Sequence, residues 1–234
     1  MKQIVNYINE KLRVTSNSFY SCQPKTKDEL QKIIIKRIKN EGNECDLNDI
    51  DVSKIDDMSN LFNADNWGSG NKIFENFNGD ISLWDVSNVE NMGCMFKWCE
   101  KFNCDISKWD VSNVKSMRLM FSNCKKFNQN LDNWDVSNVE NMEHMFNWCI
   151  KFNCDLSKWD VSNVKTMEAM FNWCKNFNCN LSEWDVSNVV NMYAMFKNCP
   201  NFNQNLDGWD VSNVTDMDDA FRGCPIKPKW YKER

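Results

Sequence analysis

Apolar and polar positions recur along most of the chain in one fixed phrase. Trp84, Trp109, Trp134, Trp159, Trp184 and Trp209 stand 25 residues apart, and each opens the words WDVSNV. In the same phase run Met92, Met117, Met142, Met167, Met192 and Met217, then Phe96, Phe121, Phe146, Phe171, Phe196 and Phe221. Cys99, Cys124, Cys149, Cys174, Cys199 and Cys224 follow. Self-similarity at a fixed period of this length marks a repeat architecture. An earlier copy begins at Leu47, with Ile50 in place of the Trp and Leu61 in place of the second Met. From Phe62 to the next Phe-Asn pair is 15 residues, where later units have 6, which marks an insertion over 63–71. The chain therefore holds seven units, the first irregular.

Two periods separate within a unit. Ile106-Ser-Lys-Trp109-Asp-Val111 has the order LxxLxL, in which Trp109 and Val111 face one side and their neighbours the other, so it reads as a short strand. Met117, Met120, Phe121 and Cys124 then fall at i, i+3, i+4 and i+7, one face of a helix. The residue before the first Met is Asp57, Asn91, Ser116, Asn141, Thr166, Asn191 or Asp216, each a favoured helix N-cap. One strand and one helix cannot bury an apolar face alone, but stacked copies share a core. The expectation is an α/β solenoid: a leucine-rich-repeat-like, right-handed stack of about seven 25-residue strand-helix units, with its strands in a parallel sheet and a helical cap at its N-terminal end.

The flanks supply the caps. Thr26, Lys27, Asp28 and Glu29 form a capping box ahead of Leu30, Ile33, Ile34 and Ile38, and Gly42 ends the run, which predicts a helix over 27–41. The organisation is an amphipathic segment over 1–21, a helical cap over 22–46, repeats over 47–224 and a C-terminal cap over 225–234. In that last cap Pro225 and Pro228 forbid another strand, while Ile226, Trp230 and Tyr231 cover the last unit. The leading stripe of Ile4, Val5, Ile8 and Leu12 admits two readings, a helix docked on the cap or a tether to a partner.

Charge and composition narrow the function. With 33 acidic against 28 basic side chains, a broad footprint for nucleic acid or anionic membrane is excluded, and no apolar run is long enough to span a bilayer. A single histidine, His144, removes most hydrolase triads and histidine-rich metal sites. The 12 cysteines invite a disulfide framework, but Cys104, Cys154 and Cys179 share a phase with Gln129 and Gln204, with which a framework would not alternate. Free buried thiols and a reducing compartment fit better. The spacing C-x₄-C argues against zinc. The N-terminus lacks the apolar run of a secretory signal, so as written the chain reads as cytoplasmic.

The phrases FNCDISKWDVSNVKSMRLMF and FNQNLDGWDVSNVTDMDDAF resemble the 25-residue repeats of the BspA-like leucine-rich-repeat surface proteins, a group also seen in mycoplasma lipoproteins. The resemblance covers 47–224. It implies surface exposure and adhesion or protein binding, which makes the cell surface the alternative location.

Candidate sites lie on the positions that alternate with the core. Asp51, Asp85, Asp110, Asp135, Asp160, Asp185 and Asp210 would stack in a row, each followed two residues later by a Ser. Carboxylates so spaced repel by about 1 kcal/mol per contact even in water. Two compensations are open: a local Asx turn onto the following Ser-Asn, or cations, either Ca²⁺ or the Lys/Arg side chains of a partner. No other cofactor and no metal ligand set is expected. The Asn of each Phe-Asn pair reads as a structural ladder. Specificity belongs to varying positions on a constant frame: Leu83, Lys108, Asn133, Lys158, Glu183 and Gly208 on the concave sheet face, and Trp98, Trp148 and Trp173 on the helix flank. Lys108, Asn133, Lys158 and Glu183, with Asp110, Asp135, Asp160 and Asp185, and the three Trp are the partner-binding candidates. His144 and Tyr193 read as surface residues. Acidic groups copied equally in every unit do not converge as a catalytic centre does. The reading is a non-catalytic scaffold, monomeric or weakly oligomeric, for an unidentified protein partner; the alternative is a surface adhesin for host protein or glycan.

Overall fold

The computed structural model describes residues 20–66, 68 and 70–232, so the apolar stripe of Ile4, Val5, Ile8 and Leu12 lies outside the described residues. Helix α1 spans Lys27–Glu41. The Thr26 side chain accepts the Glu29 N–H, Glu29 accepts the Lys25 N–H in return, and Gly42 at φ 90° turns the chain away after the last turn. Leu30, Ile34 and Ile38 are buried against the first repeat. Polar ties hold the contact: Lys27 Nζ lies 2.6 Å from Asp57, Arg37 grips Asp49, and Gln31 Nε2 donates to the Leu61 carbonyl at 2.9 Å.

The repeats that follow are not strand-helix units, and the expected α/β solenoid is corrected here. Among the described residues the only other helix is a 3₁₀ turn over Lys72–Phe74, and no strand is present. The units meet through isolated parallel bridges, one per unit, running Asp57, Asn91, Ser116, Asn141, Thr166, Asn191, Asp216. What stacks is a coil built of turns: coil 1 from 47 to 80, coil 2 over 81–105, coil 3 over 106–130, and so on to coil 7 from 206 to 224.

The apolar spacing explains why this backbone is equally compatible with the sequence. In coil 3, i→i+3 hydrogen bonds close from Trp109 to Ile106, Val114 to Val111, Met120 to Met117, Cys124 to Phe121 and Phe127 to Cys124. Each such turn begins and ends on a buried apolar residue, and its two middle residues lie toward the outside except Ser122, which is buried. Spacing of three, read as one face of a helix, is thus the spacing of successive turn corners. The helix itself is interrupted by left-handed residues. In coils 2 to 7 these are Cys94 and Trp98, Leu119 and Asn123, His144 and Trp148, Ala169 and Trp173, Ala194 and Asn198, and Asp219 and Gly223. The N-cap residues keep their chemistry but cap turns: Asn91 accepts the Gly93 N–H, Asn141 that of Glu143 and Asn191 that of Tyr193.

Left-handed residues redirect the backbone. In coil 2 the N–H groups of Met92, Cys94, Phe96 and Trp98 donate to the carbonyls of Ser116, Arg118, Met120 and Ser122 in coil 3 at 2.7–3.0 Å, while those of Met95, Lys97 and Cys99 close local turns. Alternate groups therefore bind within and between coils, and the backbone is satisfied without strand or helix.

Side chains repeat the same division. Each Trp indole donates to the preceding coil, from Trp84 to Leu47 O through Trp209 to Leu181 O, at 2.9–3.1 Å. The Cys99, Cys124, Cys149, Cys174, Cys199 and Cys224 thiols donate to Phe carbonyls of the preceding coil at 2.9–3.0 Å. All 12 cysteines are free thiols. Two Phe columns fill the axis, Phe62 to Phe221 with 5.3–5.7 Å between ring centroids and Phe77 to Phe202 with 5.8–6.3 Å. Asparagines form two further ladders. Asn103 accepts the Asn128 N–H at 2.8 Å, and Asn113 Nδ2 donates to Ser87 O at 2.7 Å.

The indole ladder can be tested in the middle of the stack. Trp134→Phe keeps an aromatic ring but removes the donor to Ile106 O, and is expected to lower stability by about 1–3 kcal/mol, read from urea unfolding. An unchanged midpoint would show that the indole bond contributes nothing beyond packing.

Candidate interaction surface

Along the outside of the coils, the varying residues form one exposed column: Leu83, Lys108, Asn133, Lys158, Glu183 and Gly208 are all exposed, each beside a buried Trp. The neighbouring column is Asp85, Asp110, Asp135, Asp160, Asp185 and Asp210, also exposed. Burial thus alternates from 108 to 111 as a strand would make it, although the backbone turns.

The Asp row is held locally. Asp110 Oδ1 accepts both the Ser112 N–H at 3.1 Å and its hydroxyl at 2.6 Å, and Asp85, Asp135 and Asp160 repeat the pair. The Ser hydroxyl and N–H hold the carboxyls of Asp110, Asp185 and Asp210 below their ordinary value. At Asp210 the neighbouring charge of Asp185 works in the opposite direction and is outweighed. The row's carboxylates do not meet in threes. Among the described residues the one group of three metal-capable side chains with ligand atoms within 4.8 Å is Glu143, His144 and Glu168.

That group sits on another side of the coils and was not evident from the sequence. His144 Nε2 is 3.4 Å from Glu168 Oε1 and 3.9 Å from Glu143 Oε1. Arg118 binds both oxygens of Glu143 at 2.9 and 3.0 Å, and Asn191 donates to Glu168 Oε2 at 3.0 Å. A metal on Nε2 would place the ring proton on Nδ1, which is buried without a hydrogen-bond partner. The arrangement places the imidazole edge beside the Glu168 carboxylate. It links coils 3 to 6 through charge and hydrogen bonds. Glu90, Lys115, Glu140 and Lys165 form a second charged column, paired at 2.7 and 2.5 Å between successive coils. Both columns are visible once the 25-residue register is applied to surface positions.

The predicted helix flank is a turn corner. Trp98, Trp148 and Trp173 all adopt left-handed φ of 62–65° and are half-buried. Trp98 packs against the core, whereas Trp148 and Trp173 stack on each other, with centroids 4.5 Å apart and planes at 13°. Lys175 Nζ lies 5.5 Å from the Trp173 ring.

The exposed column opens into a cavity of about 350 Å³ beside coils 1 to 3, lined by Glu44, Asp80, Leu83, Cys104, Asp105 and Lys108 among others. Three carboxylates and one lysine surround the exposed Leu83 side chain, 59% accessible. Burial pushes the Cys104 thiol up to about 11, which keeps it protonated and unreactive at neutral pH. Of the predicted binding residues the cavity contains Lys108; Asn133, Lys158 and Glu183 continue the column away from it, and the Trp pair does not share it.

These features define a repeat protein of stacked, turn-built coils with a constant interior and a varied exterior. Matches over residues 31–153 and 127–229 show that the chain belongs to the family described as Mycoplasma protein of unknown function, DUF285. The match supports the resemblance to mycoplasma repeat proteins at the level of family and does not bear on WDVSNV as a hallmark. No curated protein and no solved structure matches the chain. No helix among the described residues is long and apolar enough to cross a membrane.

Ser112→Ala is expected to raise the Asp110 pKa toward the ordinary value of about 3.9, measured by NMR titration of the carboxyl carbon. A depressed folded pKa contributes stability above the unfolded pKa that is lost as pH falls through the folded one. The part of the variant's stability deficit that comes through Asp110 should therefore be present at neutral pH and vanish in acid. An unmoved Asp110 pKa would show that Ser112 does not hold the carboxylate.

Proposed function

We propose that the chain is a non-catalytic protein-interaction scaffold whose recognition surface is the outward column of Lys108, Asn133, Lys158 and Glu183, with Leu83 at one end. The observation that carries this reading is the division of labour within each coil. Trp, Val, Met, Phe and Cys fill the core, and the Asp, Ser and Asn of the constant phrase spend their polar atoms on turns and neighbouring coils. The residue before each Trp is exposed, changes from Leu to Lys, Asn, Lys, Glu and Gly, and is not needed by the frame. A side chain free to vary on a rigid support is where specificity can be placed without loss of stability.

The Asp row beside the column supplies a negative border. Together with Lys108 and Lys158 it favours a partner surface of mixed charge, while the acidic cavity around Leu83 suits a cationic side chain with an aliphatic stem. The stacked Trp148 and Trp173 supply a second contact on a different side.

The test is affinity capture from the source cells with the immobilised 234-residue chain, repeated with Lys108→Glu and Lys158→Glu together. Both positions are exposed, so the variant should fold with an unchanged melting temperature. The reading expects a partner retained by the native chain and lost, by tenfold or more, from the variant. Equal recovery by the two chains would remove the column from recognition.

A further inference from the structure

The stack has two unlike ends. Each inner coil directs four alternate backbone N–H groups at the coil that follows. In coil 6 these are Met192, Ala194, Phe196 and Asn198, which donate to the carbonyls of Asp216, Asp218, Ala220 and Arg222 at 2.7–2.9 Å. The equivalent groups of coil 7 belong to Met217, Asp219, Phe221 and Gly223, and among the described residues none of the four has an acceptor. The next residues do not provide an eighth coil. Trp230 takes the place of the next Trp, its indole donating to Leu206 O at 2.8 Å and its ring stacking 6.4 Å from Trp209, and Tyr231 meets Phe221 edge-on. That covers one part of the end face. Val211, Val214 and Met217 are left half-buried, where their counterparts in inner coils are fully buried.

We propose that this edge binds an extended basic segment of a partner protein, laid along coil 7 with its carbonyl groups on the four N–H donors. The partner's chemistry follows from the edge. All four groups are donors, so the ligand must present acceptors, and their two-residue spacing demands a backbone rather than a single anion. The half-buried Val211, Val214 and Met217 call for apolar side chains on the same segment. Residues 210–224 carry four carboxylates, Asp210, Asp216, Asp218 and Asp219, and one guanidinium, Arg222; Asp219 is paired with Lys197 at 2.6 Å and with Arg222 at 3.4 Å, and the net negative charge that remains selects Lys or Arg and opposes an acidic peptide.

A second copy of the chain does not meet these demands. Placed end to end through coil 7, two copies would set donors against donors. At the opposite end the Leu61 and Asn63 carbonyls are already bound, by Gln31 Nε2 at 2.9 Å and the Asn71 N–H at 2.7 Å, and α1 covers the apolar face. Growth by head-to-tail addition is blocked at the end that carries the acceptors.

The chain supplies its own probe. Residues 115–126, KSMRLMFSNCKK, contain the Ser116, Arg118, Met120 and Ser122 carbonyls that receive the four donors of coil 2, and carry four basic and no acidic side chains. Residues 140–151, ENMEHMFNWCIK, are the same part of coil 4 with two acidic and one basic residue. Amide hydrogen exchange followed by NMR on the 234-residue protein, under reducing conditions, compares the two synthetic peptides. In the free protein the amides of Met217, Asp219, Phe221 and Gly223 are expected to exchange rapidly while those of Met192, Ala194, Phe196 and Asn198 are protected. Saturating 115–126 should slow the four coil 7 amides by more than about tenfold, with the acidic peptide binding about tenfold more weakly at low salt. Protection of those amides in the free protein, slowing confined to other residues, or equal binding of both peptides would each overturn the proposal.

Discussion

The coil depends on one constraint: alternate backbone N–H groups must find their acceptors in the next coil. In coils 2 to 6 the donors lie at the first, third, fifth and seventh residues from the core Met, and the intervening groups close turns. This sets the register at 24 residues from donor to acceptor and brings equivalent side chains into columns. The polar letters of WDVSNV then acquire separate tasks. Trp donates its indole to the preceding coil, Asp and Ser lock a turn, and Asn donates to the preceding Ser carbonyl, while both Val side chains enter the core. The phrase is a set of stacking instructions, which is why it is copied with so little change.

Periodicity, the number of units, the buried columns and helix α1 were legible in the sequence because each rests on burial or on a local cap. The backbone within a unit was not. Met117, Met120, Phe121 and Cys124 satisfy a helical face and a run of turn corners equally well, since both place i and i+3 together. The deciding feature is left-handed φ at Cys94, Leu119, Ala169 and Ala194, residue types that give no warning of it, although Asn60, His144 and Asp219 at the same position are types that favour it. Asn123, Asn198 and Gly223, at the second left-handed position, were the available hint, but Trp98, Trp148 and Trp173 share that position and obscured it. On the surface, the Asx alternative for the Asp row could be framed from the Asp-x-Ser spacing. The Glu90–Lys115 and Glu140–Lys165 pairs required the same 25-residue register to be applied to exposed residues as well as buried ones.

The surface inherits its organisation from this arrangement. Because the constant polar residues are spent on the frame, the exposed column from Leu83 to Gly208 varies over aliphatic, cationic, amide, anionic and Gly positions without disturbing a turn. The Asp row next to it does not vary, and its Ser partners restrain the carboxylates that would otherwise repel one another. The frame thus fixes one column of negative charge and leaves its neighbour open, a division that no single globular pocket would need.

Strain explains why the coils exist only in company. In coils 2 to 6 two left-handed residues per coil cost about 2–4 kcal/mol if each costs roughly 1–2. Four inter-coil hydrogen bonds at a net value of about 1 kcal/mol each are of the same size. An isolated coil would carry the strain without the bonds, and its apolar run is too short to persist as a helix in water. Stability therefore arises at interfaces between coils rather than within them, and an end of the stack lacks one interface. At the first coil that deficit is met by α1, whose Leu30, Ile34 and Ile38 side chains close the core and whose Gln31 amide caps a carbonyl. At coil 7 Trp230 and Tyr231 close the aromatic half alone. The same repetition that makes the interior uniform makes its two ends chemically opposite, one edge of acceptors under a helix and one edge of donors beside a half-buried row of Val211, Val214 and Met217.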